Sequence, residues 1–176
     1  LINENKKIFK ALIPVLAKHS KKSILLIVSN PVDILTYEAI KLSKFPASRV
    51  FGTGTMLDTI RLQYHLSEKI KINPRDIQAL VLGEHGDTSF PIWSSANIAG
   101  KSLFEFSGFN QKLADECYEN TRNAAYRIIH DIGFTSYAIA IVIREIIKAI
   151  YQNSRIVVPL STKLQGEYGL KNVSLS

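Results

Sequence analysis

Three short stretches hold the side chains whose types and spacing suit chemistry: "GEHGD" at 83–87, "MLDTIRLQYHL" at 56–66 and "NPVD" at 30–33. In the first, the alternating apolar residues Ile77, Ala79 and Val81 lead to a break at Gly83, and Glu84, His85 and Asp87 follow around Gly86. Imidazole gains and loses a proton near neutral pH, so general acid–base work is the chemistry that fits. Such a histidine needs a carboxylate to fix its tautomer and stabilise the imidazolium. Metal binding fits poorly, because no second histidine stands at a ligand spacing from His85. Nucleophilic catalysis finds no support either: Cys117 falls in mid-helix and no G-x-S-x-G turn is present. His19, His65 and His130 lie on predicted helices with no supporting pattern.

In the second stretch Asp58 and Arg61 are three residues apart near the start of a predicted helix, so they share a face. A surface ion pair would be worth under ~1 kcal/mol. The same helix, however, is expected to bury Leu57, Ile60 and Tyr64, which brings the pair to the edge of the core. An arginine fixed there could clamp a carboxylate through two parallel hydrogen bonds. In the third stretch Asn30 reads equally as a helix N-cap, with Pro31 at the first helical position and Asp33 facing the helix dipole. It also reads as a donor–acceptor pair offered to a ligand at the carboxyl end of a strand.

The elements that must position these residues follow from periodicity. Residues 2–18 form an amphipathic helix pattern with Ile2, Ile8, Phe9, Leu12, Ile13 and Leu16 in step. "SILLIVSN" (23–30) is a continuous apolar run of the kind buried on both faces of a parallel sheet. A helix from Pro31 to about Leu42 and a strand over 49–55 complete a helix–strand–helix–strand rhythm. After a further helix over 57–70 the character changes. "DIQALVL" and "FPIWSSANIAG" suggest antiparallel strands, and 112–132 and 136–153 two long helices, with Gly133 ending the first and Thr135 or Ser136 capping the second. The last 22 residues read as strand, turn and strand. The fold class is therefore α/β: the end of a doubly wound parallel sheet over 1–55, then an α+β domain with antiparallel strands and long helices over 56–176. With two parallel strands and both ends falling inside patterned segments, the chain reads as an internal portion of a longer protein.

Composition narrows the partners. The net charge of +7 is concentrated in residues 1–50, which carry nine Lys or Arg against three Asp or Glu, with Lys6, Lys7, Lys10, Lys18, Lys21 and Lys22 on what reads as a solvated helix side and its exit turn. No basic stripe interleaved with aromatics suggests nucleic acid. No apolar run approaches the ~20 residues of a membrane span, and a single cysteine fits a reducing, cytoplasmic setting.

Taken together, "VSNPVDILTY", "GTGTMLDTIR", "GEHGD" with "PIWS", "FTSYAIA" and "PLSTKLQGEYG" resemble the NAD-dependent L-lactate dehydrogenase family over essentially the whole chain. The resemblance implies a Rossmann-type sheet, NAD as cofactor, a small 2-oxo or 2-hydroxy acid as substrate, no metal, and a cytoplasmic homotetramer or homodimer. It implies that His85 is the proton donor and acceptor, with Asp58 its carboxylate partner. Arg61 would bind the substrate carboxylate, helped by Thr135, and Asn30 would sit beside the reacting oxygen and the nicotinamide. Val28 and Ser29 would line the cofactor, with Thr53 near its amide and Ile139 behind its ring.

Within that resemblance, Glu84 in "GEHGD" and Thr135 in "FTSYA" point to lactate rather than malate. 2-Hydroxyisocaproate dehydrogenase shares much of the pattern. The Gly-rich phosphate turn, the ribose-binding acid and the mobile specificity loop are absent from this stretch. A catalytically silent module and a non-enzymatic α/β binding module are thus the competing readings. Members activated by fructose 1,6-bisphosphate carry an Arg two residues after the clamp arginine and a His seven before the catalytic one. Here those positions are Gln63 and Gln78, neutral amides in place of cations, so that activation is not expected.

Overall fold

The computed structural model describes residues 2–176, and the chain gathers into two compact units. The first takes the chain up to Thr55 and adds 83–85 and 160–176; the second takes 56–82 and 86–159.

In the first unit, helix α1 (Ile2–His19) leads to strand β1 (Leu25–Ile27), helix α2 (Val32–Ser43) and strand β2 (Val50–Gly52). β1 and β2 pair in parallel, Leu25 opposite Val50 and Ile27 opposite Gly52, and the Thr53 N–H continues the pairing to the Ile27 carbonyl at 3.0 Å. Phe9 and Ile13 of α1 close on Ile27, Val32, Leu35, Ala39, Ile40 and Val50 to form the core. The strand is shorter than its apolar run suggested, and Ile24 and Val28 are exposed rather than buried on both faces. With a single parallel neighbour among the described residues, backbone pairing reaches only three residues of the run. The expected face of α1 is likewise only partly used: Phe9 and Ile13 are buried, whereas Ile2, Ile8, Leu12 and Leu16 are exposed. The chain returns to this unit as β8 (Thr162–Gln165) and β9 (Lys171–Leu175), an antiparallel pair that packs on α2. Gly52 and Ser161 exchange backbone hydrogen bonds at 2.8 and 3.1 Å.

Gly54 shows why "GTGT" needs its second glycine. Its φ is +49°, and a Cβ there would lie 2.1 Å from Ser176 Oγ and 2.5 Å from the Ser161 nitrogen. Gly54→Ala is expected to cost ~3 kcal/mol of stability, combining left-handed strain with overpacking against backbone. Denaturant titration reads this directly; an unchanged midpoint would mean that the contact is not made.

The second unit opens with α3 (Met56–Ile70), followed by β3 (Ile77–Gln78), β4 (Val81–Leu82), β5 (Phe90–Pro91), β6 (Asn97–Ile98) and β7 (Lys101–Ser102). All its pairings are antiparallel: β4 with β5, and β3 with β6, which pairs in turn with β7. "FPIWSSANIAG" is therefore two short strands with different partners, separated by a 3-10 turn at Trp93–Ser95. Helices α4 (Gln111–Ile132) and α5 (Tyr137–Tyr151) follow, the first capped by Asn110 accepting from the Leu113 N–H and ended by Gly133 at φ 89°. Ile77, Ala79 and Val81 are buried as their alternation implied, in a core with Leu62, Leu66, Leu103, Ala114 and Cys117.

The face that α3 buries differs from expectation. Met56, Thr59, Leu62, Leu66 and Ser67 are buried, whereas Ile60 and Tyr64 are exposed and Leu57 is half-buried. The reason is a polar anchor: Thr59 Oγ1 accepts the Val81 N–H at 2.9 Å, which turns the Thr59–Leu62–Leu66 line toward the strands. Among the described residues no helix is long and apolar enough to cross a membrane.

Candidate active-site residues

In the first unit the carboxyl end of β1 presents Val28, Ser29 and Asn30 to solvent. Asn30 is not the N-cap of α2. The ladder starts from the Pro31 carbonyl, which accepts the Leu35 N–H at 3.0 Å, so Pro31 occupies the cap position with no side-chain cap. The Asn30 carbonyl accepts from Asn5 Nδ2 at 2.6 Å. Thr53, just beyond β2, is buried.

Segment 83–85 joins this unit through two backbone hydrogen bonds between Gly83 and Ser176, both 3.1 Å, and through the His85 N–H, which donates to Asp33 Oδ2 at 2.8 Å. Gly83 has φ 94°, a conformation a side chain would oppose, and His85 itself is half-buried. The structure thus places His85 beside the first turn of α2, the same turn that follows Asn30. The part played by Asp33 was not legible in sequence, where a carboxylate in a first helical turn reads as a dipole partner. Its burial was the missing signal, and burial comes from segments far along the chain.

In the second unit, Asp58 and Arg61 are brought together: Arg61 Nη1 lies 3.9 Å from Asp58 Oδ1, with the side chains only 13% and 15% exposed for Arg61 and Asp58. Burial lowers the pKa of the guanidinium, and the Asp58 charge works the other way. Among the described residues Arg61 makes this ion pair and no hydrogen bond, so its donor fork is unspent. Gln63 directs its amide inward, Nε2 donating to the Ala79 carbonyl at 3.3 Å.

Thr135 is exposed just before α5, and Ile139 is half-buried in its first turn; α5 packs on α3. No hydrogen bond joins Thr135 to Arg61 among the described residues. The other histidines keep minor surroundings: His65 has its pKa lowered by burial and then by Arg127, Arg61 and Lys69, and His130 pairs with its neighbour Asp131 at 2.9 Å.

Whether the residues at the β1 end suit a nicotinamide can be judged from their chemistry. An exposed valine is followed by a hydroxyl and an amide, an apolar surface edged by a donor–acceptor set that matches an aromatic carboxamide. No glycine precedes Gly52, so residues 1–51 hold no phosphate-cradling Gly-rich turn.

Comparison with known proteins places the chain in a family. Residues 1–52 match the family model for the NAD binding domain of lactate/malate dehydrogenase, and residues 55–176 match that for its alpha/beta C-terminal domain. The chain is 44% identical over 180 residues to an L-lactate dehydrogenase of Clostridium botulinum (strain Hall), covering 99% of this chain and 57% of that protein. It is 44% identical over 181 residues to an L-lactate dehydrogenase of Clostridium perfringens (strain SM101), covering 100% of this chain and 57% of that protein. The chain therefore spans a little over half the length of these curated relatives. Two adjoining matches that account for nearly every residue leave no room for a chance likeness: the chain belongs to the lactate/malate dehydrogenase family.

Proposed function

We propose that the protein to which this chain belongs is an NAD-dependent L-lactate dehydrogenase interconverting L-lactate and pyruvate. The observation that carries the reading is Arg61, a guanidinium mostly withdrawn from water whose fork is unspent among the described residues, as a carboxylate clamp requires. Residues 1–55 form the end of the cofactor domain and 56–176 the substrate domain, of which 83–85 and 160–176 gather with the first compact unit. Val28, Ser29, Asn30, Thr53 and Ile139 hold the nicotinamide end of NAD, which when bound supplies or accepts the hydride. Arg61 binds the substrate carboxylate with help from Thr135, and Asn30 offers its amide to the reacting oxygen. His85 gives a proton to that oxygen during reduction and takes it back during oxidation. Asp58 stabilises the imidazolium before the proton moves. The setting is cytoplasmic and the assembly a homotetramer or homodimer; sedimentation of the full-length protein reads the latter.

NADH consumption by the full-length protein with pyruvate, oxaloacetate and 2-oxoisocaproate in parallel tests the reading. Preference for pyruvate supports it. Preference for oxaloacetate or 2-oxoisocaproate replaces lactate with malate or 2-hydroxyisocaproate, and no turnover on any leaves a silent module. Fructose 1,6-bisphosphate is expected to change the pyruvate KM by less than about twofold, a negligible coupling between sites, because Gln63 and Gln78 bring no positive charge to a phosphate. A large fall in KM on adding it would refute that expectation.

A further inference from the structure

A carboxylate in the first turn of a helix ordinarily faces the dipole from the surface. Asp33 does not: it is only 6% exposed, and its Oδ2 is committed to the His85 N–H at 2.8 Å, 52 residues along the chain. Oδ1 has no hydrogen-bond partner among the described residues; the Ser161 hydroxyl lies beside the carboxyl without completing a bond of normal geometry. Burial raises the carboxyl's pKa, opposed by Ser161, by the His85 N–H and by the charge of His85, while Glu84 adds to the rise. A buried carboxylate left half-satisfied is costly, and asparagine or serine at this position would accept the same N–H without that cost. The arrangement makes sense if the charge itself is used.

We propose that Asp33 is a positioning residue for His85: its carboxylate fixes the backbone that carries the imidazole, and its charge favours the protonated ring. This rests on the reading of His85 as the acid–base group. The fixation is geometric. Gly83 is clasped by Ser176 through two backbone hydrogen bonds, and Asp33 holds the amide two residues later, so the start of the loop is tied to the residue after β9 and to α2 at once. The charged groups bearing on Asp33 are His85 and Glu84, from the 83–85 segment. α1, β8 and β9 also pack on α2; of their lysines, Lys6 meets Glu38 at 3.2 Å and Lys163 lies over the Tyr37 ring, both farther along the helix, Lys7 pairs with Glu4, and Lys10, Lys18 and Lys171 are exposed. Asp58, the proposed partner of the ring, is unaltered in every variant below.

The test uses the full-length protein with Asp33→Asn, Asp33→Ala and His85→Gln. Asparagine keeps the volume and an acceptor oxygen and loses the charge; alanine loses both. The His85 ring proton resonance, identified by its disappearance in His85→Gln, is followed by NMR through a pH titration. In Asp33→Asn its midpoint is expected to fall by roughly half a unit, as loss of a nearby opposite charge requires, and the pH limb of kcat for reduction should fall with it. In Asp33→Ala kcat is expected to fall on the order of 10- to 100-fold with the substrate KM changed far less, the signature of lost orientation, and asparagine should restore most of it at low pH.

A merely structural role would lower Tm and leave the titration and the pH limb where they are in Asp33→Asn, which overturns the proposal even if the alanine variant fails to fold. If His85→Gln keeps its turnover, the acid–base reading of His85 falls and this inference falls with it. If His85→Gln is inactive while Asp33→Asn moves neither titration, the inference about Asp33 fails alone.

Discussion

Replacing His85 with glutamine in the full-length protein is expected to lower kcat for pyruvate reduction by about three orders of magnitude, the middle of the range for a lost general acid. Affinity for NADH, read by fluorescence titration, should stay within about twofold, because the substitution keeps the side-chain volume and the cofactor residues belong to other segments. The size of the loss follows from charge. Reduction of a 2-oxo acid leaves negative charge on the carbonyl oxygen, and a positioned imidazolium neutralises it where water would do so poorly. Glutamine can hydrogen-bond to that oxygen but has no proton to give. The residual activity should therefore lose the pH dependence contributed by a titrating imidazole. Near-normal turnover in this variant would remove His85 from the mechanism whatever the family membership says.

How far such a residue can be found from sequence depends on what holds it. The alternation of Ile77, Ala79 and Val81 and the glycine break at Gly83 are local signals, and the structure buries the first three as the period demands. Gly133 is equally local: a helix stop in the left-handed region with its N–H on the Ile129 carbonyl. Other features depend on partners far along the chain. The run 23–30 could not reveal that only Leu25–Ile27 would pair, because strand length is set by the neighbour. The buried face of α3 is not legible in the sequence, where Ile60 and Tyr64 are more apolar than Thr59, because the deciding contact is a threonine hydroxyl on the Val81 amide. Asp33 is the extreme case. Its sequence context explains it fully as a dipole partner, yet it is spent on an amide 52 residues away. Of the candidate site, the pairing of Asp58 with Arg61 was legible because i and i+3 on a helix must be neighbours.

Arg61→Lys is the second substitution expected to act strongly. Two parallel hydrogen bonds from one rigid guanidinium fix both the position and the plane of a substrate carboxylate, and an ammonium offers a single directional contact at the same charge. Losing one charge-assisted hydrogen bond, about 1.5–3 kcal/mol, should lower kcat/KM for pyruvate on the order of 10- to 100-fold, with most of the effect in KM. Stability should change little, since lysine keeps a positive charge beside Asp58 at a pair that is already loose at 3.9 Å.

A rise in KM alone would not distinguish a lost clamp from a disturbed helix, so the informative comparison is between substrates. The parent enzyme should strongly prefer pyruvate to pyruvamide, which presents an amide where the clamp needs an anion. In Arg61→Lys the penalty should fall mainly on pyruvate, so the ratio of the two kcat/KM values contracts. A disturbed helix would slow both substrates alike and leave the ratio unchanged. An unchanged ratio would therefore take Arg61 out of substrate binding and leave it as the structural partner of Asp58.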